Sequence, residues 1–292
     1  MTDYIVRGTD KNKNFRFFAA HTTDLVKHAV QQHGTSPVVA AALGRTMTGT
    51  LMMGAMLKND QDRVSVSIRG DGPIGGILVE ANAKGDVKGY PIQPVVDLPL
   101  NEKGKLDVRT AIGNAVMTVT KDIGLKEPYV GQTAMLSGEV AEDFTDYFAI
   151  SEQINSLVAL GVLADAKTLI KQAGGLIIQV LPNATEEAIS ELEVKLKQFT
   201  AMTTYMEEGK TVEEIVFMLL GDDAEIMDRM PAQFKCDCSK ERMERGLISL
   251  GRQELQNIVE DDQDDLEIVC HFCNQKYDFD KEDIKEILEE IK

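Results

Sequence analysis

Four cysteines stand in the 292-residue sequence, all within its last 57 residues: Cys236-Asp-Cys238 and, after 31 intervening residues, Cys270-His-Phe-Cys273. Two close pairs a few dozen residues apart are the spacing of a tetrahedral four-thiolate zinc site, each pair supplied by one short loop. Four sulfurs leave no open coordination position, so such a site staples structure and activates no substrate. Metal-bound sulfur is also deprotonated, and the thiolate is the form an oxidant attacks. The same cluster can therefore be a staple or a chemical sensor. His271 could compete from inside the second pair, but four thiolates already fill the tetrahedron, which puts it outside the ligand set.

Two features weigh against a plain staple. Cys236-x-Cys238 is tighter than the usual structural knuckle, and each pair holds its sulfurs near enough to close on each other, given favourable backbone geometry. Residues 236–292 also carry 25 charged side chains and little apolar material. Structural zinc contributes about 10–16 kcal/mol in small peptides, so this segment is expected to unfold without its metal. On the residues alone, staple and switch stand equal.

The elements that must position these sulfurs divide the chain. The length fits two or three units, at least one with a sizeable core. Net charge is −17, spread as −1 over residues 1–182, −7 over 183–235 and −9 over 236–292. That acidity reads as a solvated surface and argues against nucleic acid as a partner. The N-terminal stretch has no basic and apolar leader pattern, and the weakly charged run Pro37–Leu57 reads as a buried helix, not a membrane span. A cytoplasmic protein without membrane contact is expected, in a compartment where paired thiols more often hold metal than form lasting disulfides.

Residues 1–182 read as a mixed α+β domain. Tyr4–Gly8 and Phe15–Ala20 suggest a hairpin, Thr23–Gln32 a helix, and Ser36-Pro37 the capped start of a second, buried one. Arg63–Arg69 alternates as a half-buried strand, and Gly76–Ala83 with Val87–Ile92 flank a turn. Further strands are expected at 115–121, 132–139, 157–163 and 175–181, with a helix at 143–155 among them. Hairpin-paired strands with segregated helices favour α+β over a doubly wound sheet.

From Thr185 the pattern turns helical, with Ile189, Leu192, Leu196, Phe199, Met202 and Met206 three or four residues apart. Gly209 ends that helix. Thr211-Val-Glu-Glu214 fits a capping box for the next, which carries Ile215, Val216, Met218, Leu219 and Leu220. Asp222 or Asp223 is expected to cap a third, to Met230, before Pro231 stops it. A one-sided helical segment of this size cannot bury its own stripe, so residues 183–235 must lie against something and form the natural moving part. Met202, Met206, Met218, Met227 and Met230 are expected to pack on the mixed domain, where release would uncover an adaptable apolar surface.

Weaker motifs fall away. Gly70-Asp-Gly-Pro-Ile-Gly75 fits a dinucleotide fingerprint by letter, but a strand pattern follows it where a helix is required, so a turn is expected. Gly209-Lys-Thr211 lacks the first glycine and the preceding strand of a phosphate loop. His21, His28 and His33 have no ligand-type neighbours at coordinating spacing. No nucleophile elbow or paired-carboxylate site is visible, and no enzyme is expected.

Taken together, the chain resembles the redox-regulated 33 kDa chaperonin family of heat-shock holdases over essentially its whole length. Cys236-Asp-Cys238-Ser-Lys-Glu-Arg242 and Cys270-His-Phe-Cys273-Asn-Gln-Lys-Tyr277 are similar to its zinc signature. Arg45-Thr-Met-Thr48 with Ala55-Met-Leu-Lys58, Gly72-Pro-Ile-Gly75 with Ala81-Asn-Ala-Lys84, and Ala173-Gly-Gly-Leu-Ile-Ile-Gln179 are similar to its N-terminal blocks. The resemblance implies a chaperone that needs no ATP and is inactive when reduced and zinc-bound. It implies oxidation to Cys236–Cys238 and Cys270–Cys273 disulfides, zinc loss, unfolding of the linker and dimerisation on activation. Unfolding client proteins are the implied partners. The expected client surface is the stripe Ile189, Leu192, Leu196, Phe199, Met202, Met206, Ile215, Met218 and Leu219. Two rivals from the residues are a rigid zinc-ribbon adaptor for a protein partner and a thiol–disulfide oxidoreductase using Cys270-x-x-Cys273, although the latter motif lacks a thioredoxin-like setting.

Overall fold

The computed structural model describes residues 2–165, 170–260 and 265–290. The chain divides into two compact units, Met1–Lys235 and Cys236–Lys292. The first opens with the hairpin β1 (Tyr4–Asp10) and β2 (Phe15–His21), then α1 (Thr23–His33) and α2 (Pro37–Gly54). A meander of β3 (Arg63–Gly70), β4 (Gly76–Asn82) and β5 (Asp86–Pro91) follows, then α3 (Val108–Ile112), β6 (Ala115–Asp122) and β7 (Tyr129–Met135). α4 (Ala141–Ser151) leads to β8 (Ser156–Ala164) and β9 (Ile170–Val180). Three helices, α5 (Glu186–Leu196), α6 (Met202–Glu207) and α7 (Val212–Leu220), precede β10 (Ala224–Pro231) and the short β11 (Gln233–Phe234).

These strands form two sheets, ordered β10-β1-β2-β9-β8 and β11-β5-β4-β3-β6-β7. This is an α+β fold. α2 runs between them, touching β8 and β9 of one and β3, β4 and β5 of the other. Sixteen of its eighteen residues are buried. A helix so enclosed has no water for its hydroxyls, and Thr46, Thr48 and Thr50 each donate to the carbonyl four residues back, all at 2.8 Å. Strand alternation then divides the apolar side chains between two cores. Ile5, Phe18, Ala20 and Ile177 face α2, while Tyr4, Val6, Phe17, Ala19, Leu176 and Ile178 face the opposite side of their sheet, where α5, α6 and α7 pack.

Local expectations are corrected here. Residues 222–230 make no third helix: Asp222 and Asp223 sit in a single 3-10 turn, and β10 pairs antiparallel with β1. Ile226, Met227 and Met230 are spaced as on one helix face, but the free edge of β1 pairs with this segment and decides its conformation. The helix read from Thr185 to Gly209 is two, interrupted where Ala201 is extended. The break lets Met202 and Met206 lie on β8 and β9. β9 starts at Ile170, ahead of the strand expected at 175–181. A Cβ at Gly175 would stand 2.7 Å from Leu160 and 2.9 Å from Met52 and Thr48, so this glycine serves close packing inside the strand and not its start.

The second unit contains α8 (Lys240–Ile248), α9 (Arg252–Glu260), the hairpin β12 (Asp265–Val269) and β13 (Lys276–Asp280), and α10 (Lys281–Glu290). Its buried apolar side chains, among the described residues, are Leu247, Leu255, Phe279, Ile284 and Ile287. No helix among the described residues is long and apolar enough to cross a membrane.

Candidate metal centre

The first cysteine loop is extended chain that enters α8. Ser239 caps that helix by accepting from the Arg242 amide at 3.3 Å, and Arg242 returns to Asp237 at 2.8 Å, which sets the direction of Cys236–Cys238. The second loop is the tip of the β12–β13 hairpin. The Cys270 amide donates to the Gln275 carbonyl at 2.9 Å, while the Cys273 and Asn274 amides both donate to the Cys270 carbonyl. Asn274 takes the left-handed conformation at φ 55°, a region asparagine tolerates, and so closes the turn.

These two loops bring all four sulfurs within 4.8 Å of one another. Cys236 Sγ lies 3.8 Å from Cys270 Sγ, and Cys238 Sγ 3.3 Å from Cys273 Sγ. A tetrahedron with zinc–sulfur bonds of about 2.3 Å has edges of about 3.8 Å, so the donor set and its spread fit a dication bound by four thiolates. His271 is exposed and outside this cluster. No disulfide joins any of the four cysteines.

The sulfurs are not equivalent. Burial pushes the Cys236 thiol well up, and burial raises that of Cys273 to about 11. Burial acts on Cys238 too, but hydrogen bonds from the Tyr277 hydroxyl, at 3.1 Å, and from neighbouring thiols outweigh it and hold Cys238 below the usual thiol range. Tyr277, in turn, is pushed up by its bond to that sulfur. Tyr277 ends the second cysteine motif, Cys270–Tyr277, whose spacing alone does not show a donation to sulfur. The readable signal is the alternation of Lys-Tyr-Asp-Phe along β13, which puts Tyr277 on the same face as buried Phe279.

The apolar stripe takes a different place, in the first unit. Leu192, Met202, Met206, Ile215 and Leu219 are buried in the core on the outer face of the first sheet, and Ile189, Leu196 and Phe199 pack at its margin. Met218 is 43% exposed and Met227 73%, so neither packs as expected. Met218 lies on the solvent face of α7, and Met227 is on an edge strand with little behind it. Gly70–Gly75 forms the turn from β3 to β4. His21 Nδ1 is 2.9 Å from Asp3, His33 Nε2 is 3.0 Å from the Gly89 carbonyl, and the His28 ring leans on Phe234.

A family model described as Hsp33 protein matches residues 3–280. The chain belongs to the Hsp33 family. A 33 kDa chaperonin of Lachnoclostridium phytofermentans is 50% identical over 289 residues, covering 99% of both chains. The 33 kDa chaperonin of Bacillus subtilis is 47% identical over 284 residues, 97% of each. The crystal structure of the Thermotoga maritima 33 kDa chaperonin superposes with a TM-score of 0.91 at 32% identity, covering 99% of this chain and 98% of that one. Membership of Hsp33 makes the protein a chaperone, with a cysteine cluster able to bind a metal ion.

Proposed function

We propose that this Hsp33 protein is a redox-regulated holdase that binds unfolding proteins without ATP and is switched by its four-cysteine centre. The carrying observation is the convergence of four sulfurs in a unit whose described residues include five buried apolar side chains. Cys236, Cys238, Cys270 and Cys273 are the proposed ligands of one zinc ion. Bound zinc would hold the four sulfurs as thiolates and cross-link the two cysteine loops.

The work of the chain's own residues follows. Tyr277 donates to Cys238 and favours its thiolate, the form a hydroperoxide attacks. Each pair, Cys236 with Cys238 and Cys270 with Cys273, gives two electrons as thiolates to one hydroperoxide, and solvent supplies the two protons. An S–S bond forms, the O–O bond breaks, and water and an alcohol (two waters from hydrogen peroxide) leave. Two disulfides remove all four donors, and residues 236–292 lose the cross-link that folds them. In the three-part division we propose, 1–182, 183–235 and 236–292, the middle segment then loosens from the first sheet. The stripe from Ile189 to Leu219 becomes the client surface, with two active copies pairing. The acidic charge of residues 183–292 supports a role without nucleic acid, and we place the protein in the cytoplasm, away from membranes and without catalytic turnover.

The test compares reduced, zinc-loaded protein with peroxide-treated protein, following aggregation of a heat-denatured client and zinc release in parallel. Suppression by the oxidised form alone, in step with zinc release, is expected. Equal suppression by both forms overturns the regulatory reading.

A further inference from the structure

β10 is held mostly by its backbone. Of its eight residues only Ala224 is buried and Met230 half-buried; Glu225–Arg229 stand in solvent. Its ladder to β1 runs from Tyr4 opposite Pro231 to Asp10 opposite Ala224, with Met227 bulged out between Asp228 and Ile226. Side chains add contacts at the margin. Arg229 lies 3.8 Å over the Tyr4 ring and 3.7 Å from Glu213, and Arg7 pairs with Asp228 at 2.8 Å, both partners nearly half exposed. Exposed ion pairs of this kind hold a strand weakly.

β1 is the opposite case. Tyr4, Ile5 and Val6 are at most 4% exposed, covered on both faces of the sheet, and β2 pairs along the strand's other side. Removing β10 therefore takes away little apolar cover and leaves β1 in place with a bare edge, a row of N–H and C=O groups ready to pair. Gly8 lets a neighbouring strand come close: a Cβ there would stand 2.0 Å from the Glu225 carbonyl oxygen and 2.5 Å from the Phe17 ring. Pro231 lies five residues before Cys236, so β10 is among the last structure preceding the cysteine loops.

The geometry points to the β1 edge, Tyr4–Asp10, as a docking site where an extended segment of an unfolded client pairs as a strand in place of β10. This rests on the holdase reading above and adds a backbone site to its apolar surface. The present occupant defines what the edge accepts. β10 contributes peptide groups and points its side chains at water, so a stretch of almost any composition without proline fits. An unfolded chain is the partner that offers such stretches, with no common sequence among clients.

The experiment uses the full-length, peroxide-oxidised protein and reduced, carboxymethylated α-lactalbumin, a permanently unfolded probe without thiols. Amide hydrogen exchange is followed over Tyr4–Asp10. The β1 amides that point to β10 are expected to be protected in the reduced protein, to lose protection on oxidation, and to regain it when the probe is added. A peptide of the sequence Ala224–Pro231 should displace the probe, and the same peptide N-methylated from Glu225 to Met230, with its side chains intact, should not. Persistent protection of β1 after oxidation, or probe binding without reprotection, overturns the proposal and leaves the holdase reading standing. Reprotection that rises with protein concentration in the absence of probe assigns the edge to a second copy and also overturns it. Failure of the probe to bind overturns the holdase reading itself.

Discussion

In the unit ending at Lys235, α2 alone buries sixteen residues between two sheets, and a second core lies beyond the first sheet. In the unit beginning at Cys236, five apolar side chains are buried among the described residues, and four sulfurs lie within 4.8 Å of one another. The first has enough apolar interior to fold on burial alone. The second is in the size range where a metal or disulfides must add to a small core. What differs is the reversibility of the device. A packed core has no chemical handle, whereas a staple made of thiolates is removed by the chemistry of its own ligands.

Removing metal from the reduced protein with a chelator is the strongest way to break this contrast. Helical circular dichroism and exchange protection of α8–α10 should be lost, consistent with about 10–16 kcal/mol of zinc binding coupled to folding, while residues 1–182 melt unchanged. A tail that stays ordered would sink the contrast. Truncating the core of the other unit should do the reverse. Phe144 is fully buried, and Phe144→Ala should lower the stability of residues up to 235 by about 3–5 kcal/mol in thermal or urea unfolding. Zinc stoichiometry should stay the same.

A smaller effect tests the support of the sulfurs. Tyr277→Phe removes the hydroxyl that donates to Cys238, and metal affinity measured against a chromophoric chelator should fall about 10–100-fold. Unchanged affinity would deny Tyr277 any part in the site. The smallest effect concerns the α7 cap, where Glu214 accepts from the Thr211 amide at 2.7 Å and so sits below the usual glutamate range. A carboxylate depressed in the folded state adds stability above its unfolded pKa and loses it as pH falls through the folded one. The Thr211 and Glu214 amide resonances should therefore shift together in acid, below the ordinary glutamate midpoint. Titration at the ordinary value would remove the capping box from the account.

Much of this architecture could be read along the chain because its determinants are local. Cysteine spacing, the alternation of Arg63–Arg69, the Ser36-Pro37 helix start and the Thr211–Glu214 box are each written within a few residues. The two segments that depart from their local pattern are those whose conformation is set from outside. Residues 224–231 extend because β1 offers an edge, and the 185–209 helix breaks so that Met202 and Met206 reach β8 and β9. Tyr277 belongs with them, since a hydroxyl 39 residues away in sequence finds Cys238 only once the hairpin is folded.

By itself the sequence determined the donor chemistry, four thiols in two tight pairs on an acidic tail, and the one-sided pattern of the helices that precede them. Donor type and periodicity are properties of neighbouring residues and need no fold to be expressed. Only the tertiary structure decided that the sulfurs meet within 4.8 Å, that the stripe faces the first sheet, and that β10 closes its edge. Those are distances between residues far apart in the chain, set by packing that no local pattern encodes.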